Sequence, residues 1–256
     1  YWPSMGNSAG GRHFRVLSVM GLIAAVIYGV LVGSYFGAGP EQIPRIGSLL
    51  TRFQVLNINN YDAMMQLAIA IGCLHIAFAN IAALGAGGFA GKAQPLGWIV
   101  VIGGCLVLGY GGSAAYHLGI GLLVGGFLII FLGGFLGSRQ KNLLLRLVAG
   151  LGSLTQISKL FGDIMSYLRL FALGLASASL ALTFNQLAHQ VYQSVPGLGL
   201  LLSILILLLG HGINLALGII SGFVHGLRLN FIEFFNWGIA DEGYPFQAFA
   251  KKESNP

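Results

Sequence analysis

The sequence predicts an all-α integral membrane protein with about six transmembrane helices, and three observations carry that prediction. Hydrophobic residues make up 56% of the chain and charged residues only 8%, against roughly 25% charged in a soluble domain. The mean hydropathy is +0.82. Apolar runs of about 20 residues recur from end to end, long enough at about 1.5 Å per residue to cross a hydrocarbon layer of about 30 Å. No stretch reads as a separate soluble domain, so residues 1–256 form a single transmembrane domain.

Membrane helices are predicted over 14–37, 62–87, 95–112, 116–138, 161–193 and 197–231. The polar, glycine-rich lead YWPSMGNSAGGRHFR has no secretory pattern and starts on Tyr1, so the chain reads as part of a longer polypeptide. In the first helix, Gly29, Gly33 and Gly37 make a small-residue ridge suited to helix packing. The segment 38–61 carries Pro40, Pro44 and several asparagines and reads as an irregular loop. Cys73 and Cys105 fall within apolar runs without ligand spacing and read as small core residues, not a disulfide.

Residues 142–160, NLLLRLVAGLGSLTQISKL, are amphipathic, with Arg146, Gln156 and Lys159 on an otherwise apolar segment. They form either a seventh crossing or a helix lying in the interface, and charge arbitrates. Without a crossing there, Arg12, Arg15, Lys92, Arg139, Lys141, Arg146, Lys251 and Lys252 share one side, against Arg45 and Arg52 on the other. That bias places both termini in the cytoplasm and makes 142–160 a cytoplasmic-side lead-in to the next helix. The net charge of +6 is scattered over segment ends instead of clustered on one face, so it gives no nucleic-acid surface.

The last two helices are long. The 161–193 helix would extend roughly 50 Å, more than a perpendicular crossing needs, so both should tilt strongly or project into solvent. Each contains an arginine. Arg169, in SYLRLFALGLAS, shares its helical face with Ser166, Ala172, Leu173, Ala176 and Leu180, and no carboxylate lies on that stripe. A charge at the bilayer centre costs at least ~3 kcal/mol and normally meets a cavity or a partner. The nearest acid, Asp163, lies about 120° around the helix and is better placed to pair with Lys159. The plain alternative is an arginine that snorkels or packs near a helix end.

In the last helix Arg228 follows His225, Ser221 and Asn214 along one polar stripe. Such a stripe can line a water-holding half-channel in which His225 exchanges protons near neutrality, or it can simply hold hydrogen bonds between helices. Gly218, Gly222 and Gly226 recur every fourth residue, a spacing for close packing against the preceding long helix. Glu233 lies near the cytoplasmic end, where solvation would suffice. His75, His117, His189 and His211 are isolated and suggest no metal site. There is no phosphate-binding loop of the G-x-x-x-x-G-K-[ST] kind, no cofactor motif and no catalytic centre, so any nucleotide chemistry belongs to another chain.

DIMSYLRLFALGLASASL, then FVHGLRLNFIEFF, then the tail DEGYPFQAF occur in the order found in the last two membrane helices of the a subunit, or subunit I, of V-type and A-type rotary ATPases. The resemblance is specific over 161–250. VIYGVLVGSYFG resembles that family's third membrane helix, which would leave a cytoplasmic arm and two membrane helices ahead of this sequence. Eukaryotic members carry a carboxylate ten residues before the second arginine. Gly218 stands there here, so the chain looks closer to the bacterial or archaeal branch.

The resemblance implies a stator subunit that moves ions, expected to be protons, in a bacterial plasma membrane. Arg169 would face a ring of proteolipid subunits, each with a buried carboxylate, and separate two aqueous half-channels. Arg228 would assist, Ala172 and Ala176 would let the ring approach, and Ser166, Ser221, His225, Asn214, Asp163 and Glu233 are candidate channel-lining groups. The expected partners are the proteolipid ring, the peripheral stalk, the other ATPase subunits and lipid. Two other readings fit the arginines: a secondary transporter holding an anionic substrate at the midplane, though no internal repeat is evident, and a membrane scaffold.

Overall fold

The computed structural model describes residues 9–43, 46–57, 60–85, 89–138 and 140–239. Pro44, Arg45, Arg139, Lys251, Lys252 and the DEGYPFQAF tail lie outside the described residues. The described chain is helical, with α1 (Ala9–Val32), α2 (Gly47–Phe53), α3 (Tyr61–Ala83), α4 (Phe89–Tyr110), α5 (Tyr116–Gly137), α6 (Leu143–Leu154), α7 (Ile157–Met165), α8 (Leu168–Ser194) and α9 (Gly199–Arg228). A π-helical segment, Leu229–Phe234, joins α9 to the short α10 (Phe235–Gly238). Six segments are long and apolar enough to cross a membrane: Gly10–Val32, Tyr61–Ala83, Gly91–Tyr110, Ser113–Gly137, Leu143–Ser194 and Gly199–Gly238. The expected six-helix, multi-pass membrane architecture is therefore present.

Three expectations about the elements need correction. The first helix does not run to 37: α1 ends at Val32, and Gly33 takes the left-handed conformation (φ +71°). The Gly33 and Ser34 amides both bond back to the Gly29 carbonyl, at 2.9 and 3.1 Å, which is the capping geometry a glycine just past a helix end provides. Gln54 covers the same end, its Nε2 donating to the carbonyls of Val32 and Leu56 at 3.2 Å each. The proposed glycine ridge is thus a helix stop followed by a turn.

The segment 142–160 is two helices, α6 and the start of α7, separated at 155–156, where Thr155 Oγ1 bonds the Gly152 carbonyl at 2.7 Å. A hydroxyl that turns back on its own helix competes with the helical ladder in this way. Finally, the long 161–193 helix is broken at 166–167, so Arg169 sits in the first turn of α8 and not near the middle of a helix. Tyr167, 1% exposed, anchors the break, and the Leu170 amide bonds to its carbonyl in a tightened three-residue turn of 2.9 Å.

The chain divides into two compact units. The first comprises Tyr1–Ile71 and Met165–Leu227, and the second Gly72–Ile164 and Arg228–Pro256. The second unit is built on the α4–α5 pair and the α5–α6 contact. Trp98 lies at its centre, edge-on to Trp237 at 5.4 Å, with Val101, Ile102 and Ile130 buried around it. In lipid, helices gain no hydrophobic drive to associate and rely on close packing over small residues, which explains the glycines here. A Cβ on Gly126 would fall 2.7 Å from Val101 Cγ2, 2.9 Å from the Val101 nitrogen and 3.0 Å from the Gly97 carbonyl oxygen.

Because two of those neighbours are backbone, Gly126→Leu must separate the helices. We expect a loss of about 2 kcal/mol or more, read as a lower denaturation midpoint in detergent. Gly103→Leu, at a position with no heavy atom within 4 Å of such a Cβ, should leave the midpoint within experimental scatter.

Candidate functional site

In the first unit, α8 and α9 are joined by side chains. Ser177 Oγ donates to Asn214 Oδ1 at 3.0 Å, and Asn214 Nδ2 donates to the Ser177 carbonyl at 3.0 Å. Interhelical bonds of this kind in membranes average about 0.6 kcal/mol each, so they fix register more than they stabilise. The Phe184 ring rests on Gly210 nearby. The two helices are antiparallel neighbours in sequence, so a step back along α8 matches a step forward along α9. Arg169 stands eight residues before Ser177, which puts it level with position 222, between Ser221 and His225. Ser221, His225 and Asn214 are each half-buried.

Arg169 is itself half-buried. Its Nη2 donates to Ser166 Oγ at 3.3 Å, while Nη1 is buried without a hydrogen-bond partner among the described residues. No carboxylate of its own unit forms an ion pair with it among the described residues. Ala172 and Ala176, on the same helical face, are exposed. The opposite face of α8 lines a cavity of about 730 Å³ through Phe171, Gly174, Leu175 and Ala178.

The expected close packing at Gly218, Gly222 and Gly226 is not found among the described residues: a Cβ at any of them would meet no heavy atom of theirs within 4 Å. A four-residue glycine spacing makes a flat helical face but does not say what covers it. Gly218 instead borders the cavity.

The cavity also displays residues that the sequence reading left isolated. His211 Nε2 lies 2.9 Å from Asn185 Oδ1. Asn185 Nδ2 donates to the Phe36 carbonyl at 2.8 Å, and the Phe36 ring meets the His211 ring edge-on at 5.6 Å. The polar stripe of α9 therefore continues backward by one turn, as His211, Asn214, Gly218, Ser221, His225 and Arg228. Extending the three-and-four spacing past Asn214 would have found His211. Nothing in the sequence marked Asn185 or Ser177 as its neighbours.

In the second unit Arg228, Asp163 and Glu233 are found in arrangements that differ from expectation. Glu233 is not a solvated terminal acid. It is 2% exposed, and its Oε1 lies 3.6 Å from Nε of Arg228, which is 51% exposed. The wider π-helical turn after Arg228 turns Leu229, Glu233 and Trp237 to the buried side together. Asp163 does not form an ion pair with Lys159. Its Oδ2 accepts from Trp237 Nε1 at 2.7 Å, while Lys159 Nζ lies 4.9 Å from the Trp237 ring centre and donates to the Asn236 carbonyl at 3.3 Å. The indole thus stands between acid and base, offering its edge to one and its face to the other.

The isolated histidines have ordinary partners: His75 stacks on Phe234 at 4.8 Å, and His189 bonds Gln193 at 3.0 Å. No cluster of three metal-ligating side chains forms among the described residues.

These features define a class: a multi-pass helical membrane protein with ionisable groups set within its spans, which is where ion pathways are built. Comparison with known proteins narrows it. The chain is 30% identical over 201 residues to V-type ATP synthase subunit I of Chlamydia pneumoniae, covering 74% of this chain and 28% of that protein. It is 26% identical to A-type ATP synthase subunit I of Methanocaldococcus jannaschii, covering 97% and 40%, and 29% identical to that of Pyrococcus horikoshii, covering 93% and 36%. The resemblance read from the two arginine motifs is borne out: over most of its length the chain is homologous to V-type and A-type ATP synthase subunit I. It spans between 28% and 40% of the length of these relatives. No family model matches the chain, and no solved structure matches it.

Proposed function

We propose that this chain is the ion-translocating part of a V/A-type rotary ATPase stator, working against a rotating ring of proteolipid subunits. The observation that carries the reading is Arg169: a permanent cation whose buried Nη1 has no hydrogen-bond partner among the described residues, on the α8 face that also exposes Ala172 and Ala176. A charge placed at membrane depth without a carboxylate of its own unit calls for one from outside the chain. A buried acid on each passing ring helix supplies it.

Beside the guanidinium the ionised form of that acid is favoured, because a nearby positive charge lowers a carboxyl group's pKa. Its proton departs through one half-channel, and the site is reloaded through the other after the ring has turned. Arg169 prevents ions from passing directly between the two. Arg228, Ser166, Ser221, His225, Asn214, Asp163 and Glu233 are the groups of this chain assigned to the pathway, with Arg228 held by buried Glu233. ATP chemistry takes place on other subunits, joined through a peripheral stalk. Both termini face the cytoplasm, as the basic bias implies, and the membrane is the bacterial plasma membrane, in keeping with the branch that the resemblance suggests.

Cysteine cross-linking tests the ring face. In the assembled complex, Ala172→Cys and Ala176→Cys should each form a disulfide with a cysteine placed beside the ring carboxylate. Gly174→Cys, on the cavity side of α8, should not. Preferential cross-linking of Gly174→Cys would put the ring on the wrong side of α8 and end this reading.

A further inference from the structure

The cavity of the first unit has a wall of α1, α3, α8, α9 and the turn 34–37, and no charged side chain lines it among the described residues. Its titratable lining groups are Tyr28 on α1, Tyr35 on the turn and His211 on α9. Of these side chains only the imidazole is of a residue type that can serve as a proton carrier under physiological conditions. His189 lies one turn beyond Asn185 on α8 and is exposed, bonded to Gln193 and not to this cluster.

The hydrogen bonds fix the state of that histidine. Asn185 Nδ2 donates to the Phe36 carbonyl, so the amide cannot be turned over without setting two oxygens against each other. Its Oδ1 therefore faces His211 Nε2, which must carry the proton in the neutral ring. Nδ1 is left as the acceptor, and it makes no hydrogen bond among the described residues. The latch is itself anchored: Gly37 adopts φ +81° and presses on the backbone of Ala181 and Leu182. Phe36 takes φ +51°, a conformation non-glycine residues hold only when their surroundings impose it. Tyr35, on the same turn and lining the cavity, has a buried hydroxyl without a hydrogen-bond partner among the described residues.

We propose that the cavity is the vestibule of the half-channel on the side away from the termini, and that His211 Nδ1 is its proton-exchange group. The inference rests on the stator reading and goes beyond it by naming the cavity as the entry and His211 as the exchanging group. A hydronium ion in the vestibule water transfers its proton to Nδ1, leaving water and an imidazolium whose Nε2–H still donates to Asn185. The same Nδ1 proton then passes to water on the other side, so no bond to Asn185 breaks and no tautomer changes. From His211 the stripe of Asn214, Gly218, Ser221 and His225 leads along α9 to the level of Arg169.

The test uses the complete subunit assembled in its complex and reconstituted in vesicles, with ATP-driven proton uptake normalised to assembled complex. His211→Gln keeps a donor for Asn185 Oδ1 but cannot take up a proton. Uptake should fall by about tenfold or more, as expected for loss of a positioned proton carrier. His211→Glu should restore part of it, with a pH profile displaced to the acid side. Wild-type uptake in His211→Gln, or a His211→Glu variant worse than His211→Gln at every pH, would make His211 a structural latch and overturn the inference. Arg169→Ala is measured alongside. If that variant keeps its uptake, the stator reading itself fails, whatever the histidine variants do.

Discussion

Gly37→Val is expected to destabilise the first unit by about 3 kcal/mol, the sum of two separable effects. The first is conformational. Gly37 holds φ +81°, a region that costs an ordinary L-residue about 1–2 kcal/mol and a β-branched one more. The second is steric: a Cβ at 37 would lie 2.9 Å from the Ala181 carbonyl carbon, 3.0 Å from the Leu182 nitrogen and 2.9 Å from Asn185 Nδ2. Backbone atoms cannot rotate away, so the turn must lift from α8. The Asn185 bond to the Phe36 carbonyl is the first casualty, and His211 then loses the partner that fixes its tautomer. Thermal denaturation in detergent reads the stability change. Gly39→Val, beside it in the same connection but with no heavy atom within 4 Å of a Cβ, should change little; equal losses in both variants would refute the packing account.

The difference between Gly37 and Gly39 also marks what could be read from the sequence. Six crossings were legible because an apolar run of membrane length leaves few other conformations in lipid. The two arginines stood out because charge is rare there. The break before Arg169 was not legible, since it depends on burial of Tyr167, a consequence of tertiary packing that no local pattern marks. The same holds for Gly33 and Gly37, whose spacing from Gly29 imitates a helix-packing ridge although only Gly29 is helical. Glu233 was misjudged for a related reason: on a regular helix it belongs with the exposed end, and the π-helical segment turns it inward toward Arg228's side chain. His211 was within reach, one step further along the stripe from Asn214.

Arg169 carries the second large effect. The guanidinium is half-buried in the first turn of α8, its only side-chain hydrogen bond among the described residues being to Ser166 Oγ at 3.3 Å. A neutral–cation bond of that length contributes modestly to the fold, so removal of the side chain should be tolerated structurally. Removing it even relieves the cost of a charge at membrane depth. In the proposed stator, by contrast, nothing else supplies the charge that ionises each ring carboxylate and blocks the direct leak. Arg169→Lys keeps the charge but loses the planar fork that can bond Ser166 and a carboxylate together, and should recover little.

The most direct measurement is made on Arg169→Ala in the full-length subunit, scoring assembly with the proteolipid ring and ATP-driven ion uptake in vesicles separately. The account predicts a complex that assembles with its ring while uptake falls to background. Uptake near the wild-type level in an assembled complex would contradict it and return Arg169 to a packing role.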